Sequence, residues 1–126
     1  MKISLTSIPV NDPIEAFKFY TDVLGFVQRV YVPEAYLAIV ASPEEPQGTG
    51  LLLEPNNHPI YKSFQQGIYE LGLPLIVFGV EDVQKEYERL SSLGVVFREG
   101  PTKADWGTYA TLDDTCGNNI QIHQAP

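Results

Sequence analysis

The sequence predicts an α+β fold: two tandem βαβββ modules whose curved, mostly antiparallel sheets surround a cavity. Three observations predict it. Val10-Asn11-Asp12 recurs as Val80-Glu81-Asp82. An aromatic residue follows each aspartate at the same distance, Phe17 in one copy and Tyr87 in the other. Leu24-Gly25 recurs as Leu93-Gly94, with the second copy one residue shorter. Self-similarity at matched offsets marks a duplicated supersecondary unit, and strand patterns flank both copies.

Residues 2–10 alternate and read as a strand, with Ile3, Leu5, Ser7 and Pro9 on one face and Ser4, Thr6, Ile8 and Val10 on the other. Asp12 is a natural helix N-cap, Pro13 suits the first helical position, and Glu15 completes an Asp-x-x-Glu capping pattern. Ile14, Phe17, Tyr20 (or Val23) and Leu24 then form one apolar stripe, which Gly25 ends. Strands follow over 26–32 and 36–41, joined by a turn at Pro33-Glu34. After the polar loop 42–48 comes a fourth strand over 50–54. The segment 59–72 connects the halves; within it Ile60, Phe64, Ile68 and Leu71 have helical spacing. The second half repeats the order: a strand over 73–80, the N-cap Asp82, a stripe of Val83, Tyr87, Leu90 and Leu93, and a stop at Gly94. Strands over 95–98, 107–112 and 118–123 complete it, and 99–106 reads as a loop. The chain is thus one domain, with module one at 1–58, the connector at 59–72 and module two at 73–126.

The last strand opens on a turn. Gly117 supplies the freedom to reverse direction, while Asp114 and Asn118 are suited to bonding the turn backbone. Beyond it Ile120 and Ile122 share one strand face and Asn119, Gln121 and His123 the other.

At 126 residues the chain is long enough to bury an ordinary core, and 44% hydrophobic with 19% charged residues reads as globular. A formal charge of −8 with 8 scattered basic residues excludes phosphate-dominated partners, so neither nucleic acid nor an anionic membrane is expected. A lone cysteine, Cys116, forms no internal disulfide and reads as a small turn filler, which fits a reducing cytoplasm. The run 3–10 is interrupted by Ser4, Thr6, Ser7 and Pro9 and is neither a signal-peptide core nor a span. Gly-rich phosphate loops, Cys-x-x-Cys pairs and nucleophile elbows do not occur, which excludes nucleotide hydrolysis, structural zinc and serine-hydrolase chemistry.

Asp-Pro-Ile-Glu-Ala-Phe-Lys-Phe-Tyr-Thr-Asp-Val-Leu-Gly-Phe (12–26) after the first strand, and Asp-x-x-Gly-Asn (114–118) before the last, resemble the vicinal oxygen chelate superfamily. That superfamily includes glyoxalase I, extradiol dioxygenases, epoxide-opening resistance enzymes and bleomycin-binding resistance proteins. The resemblance implies four inward positions for a divalent metal, on the first and last strand of each module. They fall on Leu5, Leu75, Gln121, and either Leu52 or Glu54. Leucine offers no lone pair, and a neutral amide is a weak ligand. The leading expectation is therefore a small-molecule binding protein without the usual catalytic metal and with no other cofactor. Leu5, Ser7, Leu75, Val77, Gln121 and His123 would line its cavities, with Trp106 and Tyr109 as aromatic walls. The metal-free resistance proteins bind ligand at a homodimer interface, so the resemblance also implies a homodimer. The alternative is a metal-dependent lyase, isomerase or dioxygenase with a displaced site, Glu54 and Gln121 with His58 or His123, or a metal-free enzyme using His123 as acid or base. A dimerisation module without ligand is the third reading. His58 reads as a solvated turn residue. Arg29 and Arg98 occupy related places in the second strand of each module, suited to an acidic ligand or to pairing with nearby carboxylates.

Overall fold

Each half of the chain builds a four-stranded mixed sheet backed by one helix. The computed structural model describes all 126 residues, in two compact units, Met1–Phe64 and Gln65–Pro126. The first unit contains β1 (Leu5–Val10), α1 (Pro13–Lys18), β2 (Val27–Val32), β3 (Leu37–Ala41) and β4 (Gly50–Pro55); α2 (Pro59–Glu70) runs across the division. The second contains β5 (Pro74–Gly79), α3 (Val83–Ser92), β6 (Phe97–Ala104), β7 (Gly107–Asp113) and β8 (Asn119–Gln124). The sheet orders are β1-β4-β3-β2 and β5-β8-β7-β6. In each the first strand lies parallel to the last and the remaining pairs are antiparallel. The α+β class and the doubled strand–helix–three-strand order are those the sequence predicts.

Strand alternation divides each sheet into a helix-covered face and a free face. In the first unit Ile8, Val10, Ala38, Val40, Leu51 and Leu53 are buried on the side that packs on α1. In the second, Ala110, Leu112, Ile120 and Ile122 are buried with Val83 and Leu90 of α3. Each fully buried Ile, Leu or Val among them contributes about 1.5–3 kcal/mol of transfer free energy. The opposite faces carry Leu5, Ser7, Ile39 and Leu52 in one unit and Val77, Gln121, Thr111, Tyr109 and His123 in the other.

The Asp12 carboxylate accepts from the Ile14 amide at 2.9 Å, as a cap should. Glu15 does not reach back to complete the capping box; it pairs with Lys18 at 3.4 Å. α1 continues as a π-helical turn, Phe19–Val23, in which the Leu24 amide donates to the Phe19 carbonyl five residues back at 3.1 Å. α3 has no such turn. The one-residue excess of the first copy is accommodated as this wider turn, so the flanking strands keep equivalent places.

Two further expectations are corrected. The strand predicted from residue 2 begins at Leu5. The segment 99–106, predicted to be a loop, mostly belongs to β6, which runs to Ala104 through Gly100-Pro101. Proline lacks an amide hydrogen, but β6 is an edge strand and its register shifts between Glu99 and Thr102, where the missing donor costs no ladder bond. α2 forms as its spacing predicts, with Ile60, Phe64 and Leu71 exposed and Gln65 buried. The Gln65 amide donates to the Cys116 carbonyl (3.3 Å) and to Asn118 Oδ1 (3.0 Å), fastening the helix to the turn before β8. No helix is long and apolar enough to cross a membrane.

Candidate functional site

The free face of the second sheet is laid out in rows by the pairing of β5, β8 and β7. Nearest the Asp114 turn are Asp113 and Asn119; next come Thr111, Gln121 and Val77; furthest are Tyr109, His123 and Gly79. The near end is closed. Tyr69 of α2 donates its hydroxyl to Asp113 Oδ2 at 2.5 Å, and the Arg98 guanidinium lies 4.5 Å over the Tyr69 ring. Arg98 also donates to Asn119 Oδ1 and stands 3.8 Å from Asp113. Acceptance by the Asp113 carboxylate holds the Tyr69 hydroxyl above its ordinary pKa.

The far end is open and aromatic. Trp106, at the tip of the β6–β7 hairpin, stacks against Tyr109 (ring centroids 4.8 Å, planes 17° apart) and against His123 (5.4 Å, 26°). The indole is nevertheless 52% exposed. Tyr109 is itself fixed: its hydroxyl donates to Glu99 Oε1 at 2.8 Å, which raises its pKa, and Thr102 donates to the same oxygen at 3.1 Å. His123 Nε2 lies 2.8 Å from the Trp106 carbonyl. A carbonyl only accepts, so Nε2 carries the hydrogen, and in the neutral ring Nδ1 is left as the acceptor. Gly107 makes this contact possible: with φ at 133°, a Cβ there would lie 2.2 Å from the Gln124 carbonyl oxygen and 2.5 Å from His123 Nε2.

Trp106, Tyr109 and His123 therefore meet in one stack. Gln121 and Val77 lie one row away, while Leu75 falls where the β5–β8 register shifts. The half-buried Gln121 amide makes no hydrogen bond within the protein, so its donors and acceptor face solvent uncommitted. Leu5 and Ser7 belong to the free face of the other unit's sheet, where Leu5 is 50% exposed. Gly50 lies beneath Leu5, Ile39 and Arg29. In the duplicated register Leu52 pairs with Ser7 as Gln121 pairs with Val77, and Glu54 pairs with Pro9 as His123 pairs with Gly79. If Leu52 rather than Glu54 is the fourth position that the resemblance implies, the four side chains are three leucines and one amide, which together offer a metal one neutral oxygen. No group of three or more His, Cys, Asp or Glu side chains is placed to hold a metal ion.

His58 is exposed, and its Nδ1 accepts from the Ile60 amide at 3.1 Å, which caps the first turn of α2. Sequence reasoning missed Glu99, assigned to a loop, and Tyr69, hidden behind the apolar stripe of α2. The polar spacing of Gln65 and Tyr69 along that helix was the available signal.

A model of the Glyoxalase/Bleomycin resistance protein/Dioxygenase superfamily matches residues 2–122. The chain belongs to this superfamily. It is 50% identical to the uncharacterized protein YurT of Bacillus subtilis (strain 168) over 127 residues, spanning 98% of this chain and 99% of that protein. Among solved structures, UcmS2 superimposes with a TM-score of 0.82 at 30% identity, covering 99% of this chain and 98% of its own. TnmS3, an antibiotic binding protein from Streptomyces sp. CB03234, superimposes with a TM-score of 0.76 at 25% identity, covering 100% and 97%.

Proposed function

We propose that this member of the superfamily is a small-molecule binding protein that holds a moderately apolar, partly planar ligand without a catalytic metal. The observation that carries the reading is the Trp106–Tyr109–His123 stack, whose indole stands half exposed on a face otherwise lined by Val77 and the uncommitted amide of Gln121. An aromatic platform fixed from behind loses little conformational entropy when a planar ligand settles on it. Gln121 and Nδ1 of His123 then supply the few polar contacts that orient a ligand in an apolar site. TnmS3, described as an antibiotic binding protein, supports the same class of activity. The leucines at the superfamily's metal positions support binding over metal-dependent lyase or dioxygenase chemistry.

The protein works in this proposal as a cytoplasmic homodimer. The large apolar side chains Ile60, Tyr61 and Phe64 stand exposed on one stretch of α2, a surface suited to a second copy. A monomer mass by light scattering at micromolar concentration would remove that part of the proposal.

A thermal-shift screen of planar and apolar compounds tests the main reading. A ligand present at 100 times its Kd adds about 2.7 kcal/mol, which raises Tm on the order of 10 °C. Trp106→Ala is expected to cut the shift of each hit by at least half, and Gln121→Leu to change the ranking of hits that carry hydrogen-bonding groups. If both variants left every hit unchanged, the site would lie elsewhere; a screen without hits would favour the dimerisation module. Protein purified without chelator is expected to carry nickel, zinc, iron and manganese well below one per chain. A stoichiometric metal lost on Glu54→Ala or Gln121→Ala would overturn the metal-free reading.

A further inference from the structure

We infer that the free face of the first sheet takes the acidic end of an amphiphilic anion, its charged group on Arg29 and its apolar body on Leu5 and Ile39. This rests on the small-molecule reading and names a ligand class for a surface that the aromatic stack does not include.

The argument comes from comparing the two copies of the repeat strand by strand. In β2 the pairing steps from Gln28↔Val40 to Val30↔Ile39, so Arg29 is the extra residue of a β-bulge. In β6 it steps from Phe97↔Leu112 to Glu99↔Thr111, so Arg98 is the extra residue of the same bulge. Bulges let a strand re-aim one side chain while its neighbours keep their faces. In the second copy the arginine is neutralised in place by Asp113, Asn119 and the Tyr69 ring. The register identifies the equivalent positions in the first copy. Val40 corresponds to Leu112, so Ala41 stands where Asp113 does; Gly50, paired with Ala41, stands where Asn119 does. Both polar partners of the arginine have been replaced by the smallest residues available.

Arg29 consequently has no carboxylate within ion-pair distance. The ion pairs of the chain are Lys18–Glu15, Arg89–Glu86 and Arg98–Asp113. Arg29 donates to the Gly48 carbonyl alone, which occupies one of its five N–H groups and fixes the guanidinium without cancelling its charge. The absence of a side chain at Gly50 lets its neighbours come together above it. A Cβ at that position would lie 2.9 Å from Ile39 Cγ2, 3.2 Å from Leu5 Cδ1 and 3.5 Å from Arg29 Nη1. Leu5, Ile39 and Arg29 thus converge over one glycine, an exposed cation beside a half-exposed apolar patch. The chain's net charge of −8 opposes anions at long range, but beyond about 8 Å that field is screened at physiological ionic strength. What remains is local: a charge-assisted fork for a carboxylate, sulfonate or phosphate, with affinity completed by burial of the apolar body.

The test uses two fluorescent probes that share an arylaminonaphthalene body and differ in one acidic group, 1-anilinonaphthalene-8-sulfonate and neutral N-phenyl-1-naphthylamine. Arg29→Gln is expected to weaken the sulfonate about tenfold or more, leaving the neutral probe within about twofold of its wild-type Kd; Arg29→Lys is expected to restore part of the loss. Leu5→Ser is expected to weaken both probes. The inference is overturned if the sulfonate is indifferent to Arg29→Gln, if both probes weaken together in that variant, or if the wild type does not bind the sulfonate. In each of these cases the wider reading still stands or falls separately, on the hits that respond to Trp106→Ala in the other unit.

Discussion

Asp114→Ala is expected to lower folding stability by roughly 4 kcal/mol, with a fall in Tm on the order of 15 °C. Asp114 is fully buried, and its carboxylate organises the turn that launches β8. Oδ1 accepts from the amides of Cys116 (2.7 Å) and Asn118 (2.9 Å), and Oδ2 accepts from the Asn118 side chain (2.9 Å). Removing it leaves three buried donors without that acceptor, each costing about 1–3 kcal/mol less whatever the turn recovers by relaxing. The loss spreads, because the same Asn118 accepts from Gln65 and so anchors α2. Asp114→Asn should fall between: it keeps one oxygen for the two backbone amides but sets an amide against the Asn118 amide. Urea unfolding of the three proteins checks this, and a loss below about 1 kcal/mol for the alanine variant would show that the turn does not depend on the carboxylate.

Gly107→Ala is expected to cost about 3 kcal/mol and to dismantle the aromatic stack at the same time. Two effects combine. A φ of 133° is unfavourable for any residue with a Cβ, and the added methyl would fall on the Gln124 carbonyl and the His123 ring. Gly94→Ala separates them. Its φ is 88°, and a methyl added there would meet nothing within 4 Å, so only the backbone contribution applies, about 1 kcal/mol. If the two alanine variants were equally stable, steric exclusion at Gly107 would have no weight. Ligand shifts for Gly107→Ala should resemble those of Trp106→Ala, since displacing His123 removes the bond that holds the Trp106 backbone.

Most of the fold was legible because its signals are local. The capping aspartates, the helix-ending glycines and the alternation of β1 and β8 are each set by residues within a few positions of one another. Their recurrence exposed the duplication. The errors lie where a distant partner decides. Gly100-Pro101 reads as a loop until β6 is known to be an edge strand, on which a proline is tolerated. The spacing of α2 predicts a helix but not its docking contact, which Gln65 makes with Asn118, 53 residues away. In the candidate site, Trp106, Tyr109 and His123 were recognisable as aromatic and polar residues near strand ends, and the structure brings them together. The tautomer of His123, the clearance at Gly107 and the contrast between Arg29 and Arg98 were not recognisable, because each depends on strand register.

The paired bulges bear on solubility as well as on charge placement. β2 and β6 each form one of the two edges of their sheets, where unpaired amides and carbonyls invite another chain to add on. Each is interrupted at its arginine, and β6 carries a proline besides. A strand interrupted in this way twists locally and cannot template a long, regular ladder. The duplicated irregularity therefore blunts one border of each sheet against fibrillar growth, and the first copy keeps that protection while its arginine stays free of a carboxylate.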